Sequence, residues 1–230
     1  YAHITANRRN DPDALVAFSS GSLLNLAQGK WGNTNENAVR WVGAAGVDYG
    51  AIVVKADSPW KTLAELIADI RKDPSTFVLG AGGGVGSQDW MKAALLMKAA
   101  GIDPKAMRYV AYEGGGEASA ALLGGHIKVY PADIGEMKGQ LDAGTIRILA
   151  VMSEQRLEGA FNKFPTAKEQ GYDVQWPIMR GYYVGPEVSD EAYNYWVGQF
   201  NAAYQSPAFM NVVEKKGLLP LKIAGPAFDK

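Results

Sequence analysis

A chain of 230 residues, 47% of them hydrophobic, carries enough apolar material for one large domain or two lobes, and this excludes a disordered chain. Its 23 basic residues nearly cancel its 24 acidic ones, so the net charge of −1 gives no reason to expect nucleic acid or another polyanion as a partner. Cysteine is absent, which excludes disulfides and cysteine-based zinc or redox centres, and no apolar run approaches the roughly 20 residues of a membrane-spanning helix.

Residues 1–10 show neither a strand pattern nor a clean helix cap. Residues 15–22 read as a short buried strand ending in a hydroxyl-rich turn, Ser20-Gly21-Ser22, with a brief helix from Leu23. Residues 41–45 and 50–55 read as two strands separated by a turn near residues 47–49. Thr62-Leu63-Ala64-Glu65 is a capping box, and Leu63, Leu66, Ile67 and Ile70 follow at the spacing of one apolar helix face. A strand over residues 76–79 leads into five glycines within seven positions (Gly80, Gly82, Gly83, Gly84 and Gly86). The next helix carries Trp90, Met91, Ala94 and Leu95 on one side and stops at Gly101.

The same order then repeats. A strand over 107–112 is followed by the turn Glu113-Gly114-Gly115-Gly116-Glu117 and a short helix over 118–123, closed by Gly124 and Gly125. Two strand–glycine–helix units in tandem predict parallel strands whose carboxyl ends face one cleft, where open α/β sheets place their ligands. Further along come a strand over 126–130, a helix capped by Asp133 with Ile134, Met137 and Leu141 inside, and a buried strand over 146–152. A short helix over 164–171, an extended run over 176–184 and a helix over 190–204 follow. The last helix opens at Ser206-Pro207 and ends at Lys215-Lys216-Gly217, residues suited to the two ends of its dipole.

A glycine-dense turn between strand and helix lets a ligand approach the backbone and offers it unpaired N–H groups. A dinucleotide fingerprint is excluded because Val85 stands where G-x-G-x-x-G needs its last glycine, and no P-loop occurs. Ala17-Phe18-Ser19-Ser20-Gly21 resembles a nucleophile elbow with alanine in the first glycine position. Only His3 and His126 could serve as a base, so a triad has little material, and a serine hydrolase using Ser19 stays as the alternative. Two distant histidines and no cysteine give no metal site, and no cofactor is expected. Asp133 reads as a helix cap and Glu136 as a first-turn charge. What survives is anion binding by Gly83-Gly84-Val85-Gly86-Ser87, by the amides of residues 114–118 including Gly114, Gly115 and Gly116, and by residues 19–22. Arg180 reads equally as a bidentate partner for a distal carboxylate or as an ordinary surface arginine.

The ordered set Ser20-Gly-Ser-Leu-Leu-Asn25, Ser58-Pro-Trp-Lys-Thr-Leu-Ala-Glu-Leu66, Gly82-Gly-Gly-Val-Gly-Ser87, Tyr112-Glu-Gly-Gly-Gly-Glu-Ala-Ser-Ala-Ala-Leu-Leu-Gly-Gly125, Ala132-Asp-Ile-Gly-Glu136, Leu149-Ala-Val151 and Phe164-Pro-Thr-Ala-Lys-Glu-Gln-Gly171 resembles the substrate-binding receptors of tripartite tricarboxylate transporters, the TctC or Bug family. The resemblance runs over nearly the whole chain. It implies an α/β, two-lobed type II periplasmic-binding fold, each lobe a mostly parallel sheet flanked by helices, with the ligand in the interlobe cleft. Lobe 1 would be residues 1–48 and 180–230, and lobe 2 residues 49–179 with both glycine turns.

By that resemblance the protein is no enzyme but a periplasmic monomer that captures a di- or tricarboxylate and delivers it to membrane permease subunits. Citrate-like acids come first, because Arg180 could serve an additional carboxylate. The turn ending in Gly86-Ser87, the Gly114-Gly115-Gly116 turn, Asp133 and Ser20-Gly21-Ser22 match family positions that face the ligand, with Asp133 positioning water. Family members ordinarily open with a strand, a Pro-aromatic-x-x-Gly-Gly-type loop and a helix. None of these precedes Tyr1, so the resemblance implies a sequence lacking its N-terminal segment. An effector-binding sensory domain of similar fold is a further alternative.

Overall fold

The structure is a computed structural model that describes residues 1–32 and 34–228. In chain order its helices are α1 (Ala2–Asn7), α2 (Ser20–Ala27), α3 (Leu63–Lys72), α4 (Gln88–Ala99), α5 (Gly115–Leu123), α6 (Lys138–Asp142), α7 (Asp190–Ala203) and α8 (Pro207–Lys215). Its strands are β1 (Val16–Ser19), β2 (Arg40–Lys55), β3 (Val78–Gly82), β4 (Arg108–Tyr112), β5 (Tyr130–Asp133), β6 (Ile146–Val151) and β7 (Pro177–Val184). The chain divides into two compact units, one of Tyr1–Asp48 with Ile178–Lys230 and one of Tyr49–Pro177.

In the first unit β1 runs antiparallel to β7, with Ser19 opposite Arg180, and β7 adjoins β2. Val42, Val184, Val188, Tyr193, Phe200 and Tyr204 form a buried cluster that α7 helps to build. The buried tyrosines keep their hydroxyls bonded: Tyr193 donates to the Trp41 carbonyl at 2.9 Å and Tyr204 to those of Ala44 and Ile223 at 2.8 Å. The ends of α7 and α8 follow the sequence signals. Ser189 accepts from the Ala192 amide, Asp190 and Glu191 fill the first turn of α7, and α8 opens on Pro207 and closes with Lys215.

Residues 2–7 form a helix, α1, held by the burial of Ile4 and Thr5 and lacking a side-chain cap, as the sequence leads one to expect. Two expectations for this unit are corrected. The Ser20-Gly21-Ser22 segment is the first turn of α2 and not a loop before a helix at Leu23. The two strands expected over 41–45 and 50–55 are one strand of 16 residues. Its presumed turn stays extended because Val47 and Leu219 exchange both backbone hydrogen bonds at 2.8 Å, a long-range pairing that overrides local turn composition.

In the second unit the tandem repeat delivers its predicted parallel pair: β3 and β4 match residue for residue from Val78 and Arg108 to Gly82 and Tyr112. The remaining named pairings are antiparallel, β2 with β5 through Gly50 and Asp133, and β2 with β6 through Ala51 and Val151. The α/β class holds, but a mostly parallel sheet in each lobe does not. The long β2 takes the antiparallel partners β5 and β6 in the second unit and antiparallel bridges to Leu219 and Ala224 in the first, all from distant parts of the chain, where repeated βαβ crossovers would have made them parallel.

The capping box of α3 is complete, with the Thr62 hydroxyl accepting from the Glu65 amide at 3.2 Å and the Glu65 carboxylate accepting from the Thr62 amide. Leu63, Leu66, Ile67 and Ile70 are all buried in one cluster with Ile52, Leu96 and Met97, each burial contributing about 1.5–3 kcal/mol. Two boundaries differ from the sequence reading. Residues 74–76 are a 3-10 turn, with β3 starting at Val78. The strand expected over 126–130 lies instead at Tyr130–Asp133, because those residues find β2 as their partner.

Candidate functional site

The first glycine turn is rigid for reasons its residues supply. Gly83 and Gly86 adopt φ of +77° and +83°, which L side chains resist, and the Gly83 amide donates to the Tyr112 carbonyl at 2.8 Å. Ser87 caps α4: its hydroxyl accepts from the Trp90 amide at 3.3 Å and donates to the Gly82 carbonyl at 3.2 Å. The Tyr109 hydroxyl donates to the Gly83 carbonyl at 3.0 Å, and Val85 projects from the tip, 72% exposed. Gly83 and Gly84 line an open cavity of about 440 Å³ with Ala111, Tyr112, Glu113 and Glu117, a wall that carries carboxylates and no cation.

The second turn touches the first. A Cβ on Gly82 would lie 3.3 Å from the Gly114 Cα. Gly114 is the cap residue of α5, and Gly115 and Gly116 form that helix's first turn, so the helix starts three residues earlier than its apolar run suggests. The Glu117 carboxylate accepts from the Glu113 amide at 3.2 Å. Gly115 is needed for space, since a Cβ there would collide with Glu136 Oε2 and stand 2.8 Å from the Tyr130 hydroxyl. The carboxylate that the structure puts against this turn is therefore the protein's own. Burial holds the Tyr130 hydroxyl well above the usual tyrosine range, and the nearby charges of Glu136, Asp89 and Asp133 push it further.

Behind both turns lies a group the sequence reading missed. Lys92 on α4 is completely buried, and its ammonium bonds Asp89 at 2.7 Å and Asp133 at 2.5 Å. Gln88 donates its side-chain amide to the other Asp133 oxygen at 3.3 Å. Asp133 precedes the 3-10 turn at Ile134–Met137 but does not make the side-chain cap expected of it, because its carboxylate bonds Lys92 and Gln88 instead. The Asp89 carboxylate also packs on Gly82, where a Cβ would stand 3.4 Å from Asp89 Oδ2, so the ammonium is linked through it to the first glycine turn. Burial pulls Lys92 down, but Asp133 and Asp89 outweigh it and hold it above the usual lysine range. Burial raises Asp89, with repulsion from Asp133 adding to the shift and Lys92 opposing it.

The buried face of α4 is accordingly Asp89, Lys92, Ala93, Ala94, Leu96 and Met97, not the Trp90–Met91–Leu95 side. Gly50 makes room for it, since a Cβ there would sit 2.7 Å from Lys92 Cδ. The i,i+3 pair Asp89–Lys92 on a face with Ala93 and Leu96 is the signal that could have revealed it.

In the first unit Arg180, Ser19 and Ser22 line a cavity of about 430 Å³ with Ala17, Phe18, Ala45, Gly181, Tyr182 and Leu218. The Arg180 guanidinium donates to the Asp48 carboxylate at 3.0 Å; Asp48 is buried and Arg180 is about a quarter exposed. Arg180 and Ser22 are thereby brought together, while Ser20 and Gly21 stand in the first turn of α2. Neither histidine lines this cavity. His3 faces Asn7 on α1, and His126 follows the turn at Gly125. Among the described residues no helix is long and apolar enough to cross a membrane.

A family model described as the tripartite tricarboxylate transporter family receptor, TctC, matches residues 42–225. A protein of Cupriavidus necator, the UPF0065 protein in the gbd 5' region, is 32% identical over 133 residues, which are 58% of this chain and 38% of that relative. Among solved structures, a TctC solute-binding protein from Polaromonas aligns with a TM-score of 0.74 at 24% identity, over 99% of this chain and 76% of its own. MatC from Rhodopseudomonas palustris with bound malate aligns at 0.79 and 17% identity, over 95% of this chain and 73% of its own. R. palustris Rpa4515 with adipate aligns at 0.85 and 17%, over 98% and 74%. At these identities the structural matches establish the fold.

Proposed function

This chain belongs to the tripartite tricarboxylate transporter receptor family, and on that premise we propose that it is a periplasmic solute-binding protein for a small di- or tricarboxylate, passed on to the membrane permease of such a transporter. The observation that carries this reading is Arg180. It is a guanidinium oriented by the buried Asp48 and set beside Ser19 and Ser22 in a cavity large enough for a small organic acid. Arginine matches carboxylate geometry with paired N–H groups, and the Asp48 carboxylate behind it fixes where those groups point.

The glycine turns are the second element of the reading. Gly83, Gly84, Val85, Gly86 and Ser87 on one, and Gly114, Gly115 and Gly116 on the other, offer backbone that a ligand can approach closely, with Asp133 behind these two turns; in the first unit Ser20, Gly21 and Ser22 add small polar groups. The malate and adipate held by two proteins of this fold support a carboxylate, and citrate-like acids remain the first choice for the reason Arg180 supplies.

Calorimetric and thermal-shift titration with adipate, malate, succinate and citrate, and with acetate and glucose as controls, tests the proposal. At a ligand concentration of about 100 Kd, a true ligand stabilises the fold by about 2.7 kcal/mol. A chain that none of the di- or tricarboxylates stabilises beyond the controls overturns it.

A further inference from the structure

Two carboxylates on separate elements, each tied to a glycine turn or to the segment facing one, meet at one ammonium. Asp89 joins Lys92 to the first turn by packing on Gly82, and Asp133 joins it to β5 and to the segment carrying Glu136, which packs on Gly115. The other groups facing this cluster are Gln88 on α4, Tyr109 on β4, Tyr130 on β5 and Glu136 after β5. In this cluster the ammonium of Lys92 faces more carboxylates than it can neutralise.

We propose that Lys92 is a positioning residue for the second unit's ligand loops: its ammonium holds Asp89 and Asp133 together, and through them sets the two glycine turns against each other. The inference rests on the carboxylate-capture reading of those turns. Lys92 touches no ligand, being wholly buried, so its effect is exerted through the carboxylates it holds. Without it two buried carboxylates face each other, and one of them must take up a proton or the turns must part.

The test uses Lys92→Met, which keeps the stem and removes the charge, and the double variant Asp89→Asn/Lys92→Met, which removes one of the two repelling carboxylates as well. Adipate and malate affinities are measured calorimetrically between about pH 8.5 and pH 6, a range into which buried carboxylates can be shifted. Relative to the unaltered chain, K92M should bind at least about tenfold more weakly at the alkaline end and recover toward the acid end, and the double variant should bind more tightly than K92M at pH 8.5.

Hydrogen exchange supplies a readout independent of ligand. In K92M the amides of residues 83–87 and 114–118 should exchange faster at pH 8.5 than at pH 6, relative to the unaltered chain. Affinity within about twofold of the unaltered chain across this range, or a double variant no better than K92M, overturns the proposal. If the unaltered chain binds no carboxylate, the capture reading fails on its own. The exchange result then decides whether Lys92 still orders the two turns, and unchanged exchange in K92M refutes that too.

Discussion

Arg180 donates to Asp48 at 3.0 Å, and the two differ sharply in exposure: the arginine reaches the cavity while the aspartate is almost wholly buried. Arg180→Ala takes this guanidinium away from a carboxylate buried in the first unit. A loss of about 2–4 kcal/mol is expected, somewhat below the cost of breaking a fully buried pair because the arginine keeps some water. Asp48→Asn combined with R180A should recover much of the stability, since the buried charge that lost its guanidinium is then itself removed. Ligand binding by the double variant separates the roles. If Arg180 holds a distal carboxylate, citrate affinity stays weak while adipate affinity suffers less; equal losses for both acids would remove that role.

Asp89 gives the second unit a pH dependence of defined sign. Burial, with the repulsion of Asp133 added, holds it above the ordinary carboxylate range despite Lys92. The folded state therefore binds this proton more tightly than the unfolded chain. Its contribution is fully present below the unfolded pKa of about 4 and is lost as pH rises through the folded value. The raised Lys92 acts in the alkaline range and leaves this window untouched. Asp89→Asn, neutral throughout, is expected to gain stability relative to the unaltered chain between about pH 4 and pH 7, as measured by urea unfolding at each pH. A difference that moves the other way would show that the Lys92 attraction outweighs burial.

What the sequence made legible is what short-range chemistry decides. Thr62 and Glu65 announce α3, Ser206-Pro207 announces α8, and the two strand–glycine–helix units announce the parallel pair of β3 and β4. What it hid depends on partners far along the chain. Val47 looks like turn material until Leu219 pairs with it, and Tyr130–Asp133 is a strand because β2 lies beside it. The candidate site divides the same way. Gly83, Ser87 and Gly115 stand out as glycine-turn residues, whereas nothing marks Lys92 beyond its i,i+3 spacing from Asp89 until Asp133, 41 residues on, is brought to it. Glu136 likewise looks like a helix-end charge until the fold sets it against Gly115.

The glycines themselves allow conformational need to be separated from ligand contact. Gly83 has φ of +77° and a Cβ there would fall 2.9 Å from the Ser87 Cβ, so Gly83→Ala should cost about 1–3 kcal/mol and disturb the cap of α4. Ser87→Ala, which removes that cap, should cost about 1 kcal/mol. Gly84 is different: its φ is not positive, and a Cβ there meets nothing within 4 Å. Gly84→Ala is therefore expected to leave stability within about 0.5 kcal/mol. Gly116 is equally open and lies in the first turn of α5, where alanine should stabilise by about 0.5–1 kcal/mol. Because both variants are expected to fold as well as the unaltered chain, any loss of affinity reports an obstructed ligand and not a damaged turn. A drop of about tenfold in adipate or citrate affinity for G84A and G116A is expected if the turns form a wall of the carboxylate site, because an added methyl keeps the ligand from the backbone. Unchanged affinity in both would leave Arg180 and its cavity as the binding element and retire the glycine turns from that role.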